Sequence, residues 1–130
     1  MSSSTIPDTD ERANPLPLRR GQIYWLIWEP GRGSEQRGRR PGLIIQCDPF
    51  NRSQRYTNTI VAAITTSAHN VPVHVTVEPS GATGLTNRSY VLCEQLMTVS
   101  RDRLDGLMGE LDEATMDQVH SALKRILALP

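Results

Sequence analysis

Thr59-Ile60-Val61-Ala62-Ala63-Ile64-Thr65 is an unbroken apolar and β-branched stretch closed at each end by a threonine. Its length suits a strand and falls far short of a bilayer span. Similar runs lie on both sides. Toward the N-terminus they are Leu43–Cys47 and Gln22–Trp28; toward the C-terminus they are Val73–Val77, Tyr90–Cys93 and Met97–Val99. Segments containing Pro, Gly, Asn or Ser separate them, as turns require. The expectation is an antiparallel barrel or a small sandwich. Between Trp28 and Leu43 the segment from Glu29 to Arg40 holds three glycines and four arginines with no apolar periodicity, so it reads as a loop. A loop of that length in a small domain is more often functional than decorative.

The pattern changes near the C-terminus. Met116, Val119, Leu123 and Ile126 or Leu127 recur every three or four residues, with Asp112 and Glu113 before them and Lys124 and Arg125 near the end. This predicts one amphipathic helix placed against the sheet. A chain of 130 residues accommodates one such domain. Residues 1–17 are polar and proline-rich, with too little apolar surface to offset ordering, and read as a disordered tail before a domain over 18–130. The tail lacks the basic and apolar regions of a secretory signal, and no run is long enough to span a membrane, so a cytoplasmic location is expected. Cys47 and Cys93 sit in apolar stretches without a C-x-x-C spacing, which suits reduced core thiols.

The formal net charge is zero, yet residues 19–55 carry eight arginines (19, 20, 32, 37, 39, 40, 52, 55) against Glu29, Glu35 and Asp48, a balance of +5. Residues 89–130 carry seven acids against Arg101, Arg103, Lys124 and Arg125, a balance of −3. A neutral protein can therefore still present a basic face to a polyanion. A solvated loop with scattered charges is the equally available alternative. His69, His74 and His120 have no metal-ligand spacing, and H-E-x-x-H, the P-loop pattern and G-x-S-x-G are all lacking. Structural or solvated roles are expected for the three histidines, and neither a metal nor another cofactor is expected.

At Arg19–Tyr24 (RRGQIY), Gly33–Gln36 (GSEQ), Arg40–Gln46 (RPGLIIQ), Ile60–Thr65 (IVAAIT) and Glu94–Val99 (EQLMTV) the chain resembles the MazF/PemK (Kid) family, and the closing helix fits the same pattern. The resemblance spans about residues 19–129. It implies an SH3-like antiparallel barrel, mainly β with helices, and a homodimer whose interface groove binds single-stranded RNA. It further implies a toxin that cleaves RNA at short motifs without a metal, leaving a 2′,3′-cyclic phosphate and a 5′-hydroxyl. Its partner would be a cognate antitoxin whose disordered acidic segment competes with RNA. Carried over, the family's active-site arginine falls on Arg40 and its threonine on Thr65, while Ser34, Glu35 and Gln36 match the loop bordering the RNA site.

Chemistry gives these positions a reason. Attack by a ribose 2′-hydroxyl builds negative charge on the phosphoryl oxygens and the departing 5′-oxygen, which a fixed cation and a hydroxyl donor stabilise. Arg40 supplies the cation, and Thr65 orients the phosphate. Glu35 is a candidate base or Arg-orienting group, with a loop ion pair to Arg37 or Arg39 as the alternative. Further RNA contacts are expected from Arg32, Arg37 and Arg39, from Gln95, and from the segment 48–57. There Phe50, Asn51, Arg52, Arg55 and Tyr56 offer stacking and cationic contacts. Met97 stands where many relatives carry a basic residue, so base preference does not transfer. The rival from another class is a CcdB-type toxin that binds and poisons DNA gyrase without cleaving anything.

Overall fold

The computed structural model describes residues 18–28, 38–67 and 70–130. The expected tail over 1–17 lies outside them. Six strands form one antiparallel sheet: β1 (Gln22–Trp28), β2 (Gly38–Ile44), β3 (Asn58–Thr65), β4 (His74–Val77), β5 (Ser89–Ser100) and β6 (Leu104–Glu110). Their order across the sheet is β4-β5-β3-β2-β1-β6. A short helix α1 (Asp48–Arg52), a 3₁₀ turn (Arg101–Arg103) and the closing helix α2 (Glu113–Ile126) complete the described elements.

The TIVAAIT run is central because both of its faces are buried. Ala62 and Ile64 join Ile23, Leu43, Val75 and Val91 in a core beneath α2. Val61 and Ala63 point the other way and meet Tyr24, Leu26, Ile44 and Leu92 in a second core. A strand covered on both sides must be apolar at every position, which is why the run is continuous rather than alternating. The helix was anticipated closely. Asp112 caps its start, its carboxylate accepting the Thr115 N–H at 2.7 Å, while Lys124 and Arg125 lie in the last turn, where cations complement the helix dipole. Val119, Ala122 and Leu123 are its buried residues. Ile126 and Leu127, read as the end of the apolar stripe, are instead 43% and 50% exposed.

Several boundaries depart from the expectation. The strand placed at Leu43–Cys47 starts earlier, at Gly38, so Arg39 and Arg40 are strand residues rather than loop residues. Tyr90–Cys93 and Met97–Val99 are two halves of one strand, β5. They read as separate because the ladder with β3 jumps between them: Ala62 faces Leu96 but Ala63 faces Leu92, leaving Cys93, Glu94 and Gln95 as a bulge. The small side chains of Ala62 and Ala63 stand where the sheet bends most. The first five residues of the segment 48–57 form α1. Strand β6 was not anticipated at all.

The barrel expectation needs one refinement: the sheet curls without closing, since β4 and β6 are its two edges. A loop fills the seam. The Glu110 N–H donates to the Ala82 carbonyl at 2.9 Å, tying the connection between β4 and β5 to β6. Contact there is so close that a Cβ on Gly109 would collide with the backbone of Ala82 and Thr83. Gly109→Ala should therefore lower stability by about 1–3 kcal/mol, the usual cost of overpacking. Urea denaturation will measure it as a lower midpoint with the slope unchanged.

Candidate functional site

Pairing across four strands builds the site. Leu26 faces Arg40 in the β1–β2 ladder, and Thr65 faces Tyr90, which faces Thr76, in the ladders of β3, β5 and β4. Strands β2 and β3 pair from Gly42↔Ala63 inward. Beyond that last pair, alternation along each strand turns Arg40 and Thr65 to the same face as Gly42 and Ala63. Residues directly opposite on antiparallel strands project to the same face. Arg40, Thr65, Tyr90 and Thr76 thus form one row on the face whose next row, Tyr24, Gly42, Ala63, Leu92 and His74, overlies the second core. Arg40 and Thr76 are exposed, and Thr65 and Tyr90 half-buried. The Thr65 hydroxyl accepts the Ser67 N–H at 3.2 Å, which fixes its oxygen and leaves its own proton to donate.

Arg40 is held by its neighbour. A residue preceding proline is pushed out of the helical region into extended backbone, and Pro41 lies within β2 itself. Pro41 brings no N–H, yet costs the ladder little, because β2 is paired only with β1 at that point.

Alternation separates the two adjacent arginines. Arg39 faces Ile27 and projects to the opposite face, where its guanidinium lies 4.5 Å from the Trp25 ring centre. It also donates to the Asp105 carboxylate at 2.7 Å and to the Asp105 carbonyl at 2.9 Å. Arg39, anticipated as an RNA contact, thus lies on the face opposite Arg40, where it ties β2 to β6. Arg19 does likewise toward Glu110, at 3.0 Å. Both ion pairs draw cations of the basic half toward acids of the C-terminal half, and both are half-exposed, so each adds little stability.

The segment 48–57 lies elsewhere. It leads into β3 at Asn58, whereas Thr65 is that strand's far end. At about 3.4 Å per residue the separation is roughly 20 Å. Within one chain, Phe50, Arg52 and Arg55 therefore do not share the Arg40–Thr65 row. They remain exposed, and Phe50 and Tyr56 pack edge to face at 4.7 Å. Asn51 is another matter, being 3% exposed. Its amide nitrogen donates to the Gln46 carbonyl at 2.8 Å and to Asp48 at 3.3 Å, and its oxygen accepts from Gln46 Nε2 and from the Thr59 hydroxyl, both at 3.0 Å. Asn51 holds the segment's shape and is not an RNA contact.

Gln95 is exposed in the β5 bulge. Beside it Glu94 meets His74 Nε2 at 2.8 Å, with the His74 side chain only 7% exposed. His74 opens β4 and His120 lies exposed on α2, as anticipated; His69 lies outside the described residues. So do Arg32, Ser34, Glu35, Gln36 and Arg37. Of the cysteines, Cys93 is buried, and burial pushes its thiol up to about 11; Cys47 is exposed, contrary to the core assignment. Tyr90, Thr76 and the His74–Glu94 pair were missed as neighbours of the site. Only the pairing register reveals them, and no local motif marks it.

The chain belongs to the family described as PemK-like, MazF-like toxin of type II toxin–antitoxin systems, whose model matches residues 19–127. It is similar to endoribonuclease EndoA of Bacillus subtilis, 39% identical over 114 residues, which span 86% of this chain and 96% of that protein. Endoribonuclease MazF of Staphylococcus saprophyticus is 36% identical, with 86% and 92% covered. A mycobacterial endoribonuclease solved with its cognate antitoxin superposes with a TM-score of 0.71 at 29% identity, over 87% of this chain and 97% of that one.

Asn51→Ala would strand the fully buried Thr59 hydroxyl and the Gln46 carbonyl together. A loss of about 2–3 kcal/mol is expected. Denaturant titration reads that loss, and cleavage per folded molecule should stay near wild type.

Proposed function

We propose that this MazF-type toxin is a sequence-selective, metal-independent endoribonuclease acting on single-stranded RNA in the cytoplasm. It works as a homodimer and is restrained by a cognate antitoxin. The observation that supports the reading is the alternation that turns Arg40 and Thr65 to the same face of the sheet. Endoribonuclease relatives at 39% and 36% identity favour it over gyrase poisoning, and the relative solved with its antitoxin supports the partner.

In this mechanism the 2′-oxygen attacks the adjacent phosphorus in line and the bond from phosphorus to the 5′-oxygen breaks. The products are a 2′,3′-cyclic phosphate and a 5′-hydroxyl. The 2′-hydroxyl loses its proton to a base, and the departing oxygen gains one. Arg40 neutralises the charge that gathers on the phosphoryl oxygens. A guanidinium stays protonated and is a poor base, so its role is charge stabilisation, with hydrogen-bond donation to the leaving oxygen. Thr65 donates its hydroxyl proton to the phosphate. Glu35 is our candidate base, and Ser34, Gln36, Arg32 and Arg37 extend the RNA contacts from the same segment. Gln95, exposed in the bulge, adds a further contact, and Phe50, Arg52 and Arg55 form a separate exposed surface for unpaired bases further along the strand.

Arg40→Ala should slow cleavage of a defined single-stranded RNA by about 10²- to 10³-fold. Arg40→Lys should recover little, because an ammonium does not reproduce the planar fork. Thr65→Val keeps the β-branched shape, so circular dichroism should be unchanged while cleavage falls. Near wild-type rates in folded Arg40→Ala and Thr65→Val proteins would remove both residues from the mechanism.

With Arg40 supplying the positive charge at the phosphate, cleavage should persist in excess EDTA. Its loss in chelator and return with Mg²⁺ would contradict the proposed chemistry.

A further inference from the structure

The row does not end at Thr65. Tyr90 stands directly opposite it on β5, on the same face, with part of its side chain packed against the second core and part open. Neighbouring strands lie about 4.8 Å apart, so Tyr90 is one strand from Thr65 and two from Arg40. A phosphate held between Arg40 and Thr65 would bring a flanking base within a single nucleotide's span of the Tyr90 ring.

Arg88, two residues before Tyr90, donates through Nε to Glu78 at 2.9 Å, and its Nη2 lies 2.7 Å from the same carboxylate oxygen, so its charge is already paired beside the row. With its body seated on the second core and only part of it covered, Tyr90 leaves aromatic surface open beside Thr65. An aromatic face is the general recognition element for unpaired bases, and it discriminates among them by stacking strength. Thr76, next along the row, has no such surface.

We propose that Tyr90 is a specificity-determining residue, the platform on which a base flanking the scissile phosphate stacks. This rests on the endoribonuclease reading of Arg40 and Thr65.

The test uses the full chain and a short RNA containing a mapped cleavage site. For binding, the attacking nucleotide carries a 2′-deoxyribose so that the strand stays intact. In separate oligonucleotides, the base on each side of the scissile phosphate is replaced by an abasic unit. Wild type and Tyr90→Phe should bind one of the two abasic strands about tenfold or more weakly than the intact strand. Tyr90→Leu, which keeps an apolar side chain on the core, should bind the intact strand about as weakly as wild type binds that abasic one, and should not distinguish the two. In cleavage assays Tyr90→Leu should raise KM about ten- to a hundredfold with kcat within a few-fold, and Tyr90→Phe should match wild type. A merely structural tyrosine would leave the sensitivity to the abasic unit intact. Two results overturn the proposal: undiminished abasic discrimination by Tyr90→Leu, or a Tyr90→Phe defect in kcat, which would assign the role to the hydroxyl. If wild type itself fails to cleave any RNA, the nuclease reading falls and this one with it. Cleavage that depends on Arg40 but shows no coupling to Tyr90 overturns this inference alone.

Discussion

The pleat of β2 and β3 is the constraint on which the rest of the molecule depends. β2 at its C-terminal end and β3 along its middle are buried on two faces, so a slip of one residue would move Leu43 and Ile44, or Ala62 and Ala63, into each other's cores. Register is strongly fixed under those conditions. The same alternation, carried out to the exposed ends of the strands, decides which side chains meet. It sends Arg40 and Thr65 to one face, and Arg39 to the other with Trp25 and Asp105. Core packing thus decides which face each of these surface residues takes.

Curling is the second consequence. A flat six-stranded sheet would leave both cores open on one side, whereas the bulge at Cys93–Gln95 lets β5 turn and serve β3 along two different stretches. The two β1–β6 register shifts, with Gly106 at a φ of +112°, bend the other edge in the same manner. The edges approach without pairing, and the loop carrying Ala82 fills the gap against Glu110. That loop leads through Arg88 into Tyr90, so the element that closes the seam also starts the strand that completes the row.

What was legible in the sequence follows from this geometry. Long apolar runs such as Thr59–Thr65 and the helical period from Met116 to Leu123 are local signals, and each marked its element. Strand β6 was hidden because Asp105, Gly106 and Gly109 interrupt any alternation, and its place is set by β1 rather than by its own side chains. The start of β2 was hidden because Gly38, Arg39 and Arg40 are exposed and read as loop. Arg40 and Thr65 were legible only through resemblance to a family, since nothing local distinguishes them from a solvated arginine and a strand end. Asn51 and Arg39 show the converse limit. Composition suggested surface contacts to RNA, but one side chain is consumed by a buried amide network and the other by an ion pair on the far face, both set by tertiary neighbours.

Putting phosphodiester chemistry on a sheet rather than on loops has a physical rationale. Electrostatic catalysis works best when charges and dipoles are already oriented and need no rearrangement as the transition state forms. Pro41 confines the Arg40 backbone to the extended region, and the sheet supplies the same conformation, so two independent constraints agree. The Ser67 N–H occupies one lone pair of the Thr65 oxygen and leaves its proton to donate. In the proposed mechanism the sheet supplies a rigid cation and donor, and the remaining contacts come from other segments. Met97, in the position where many relatives are basic, fits that division: it is exposed on β5, past the bulge and outside the row.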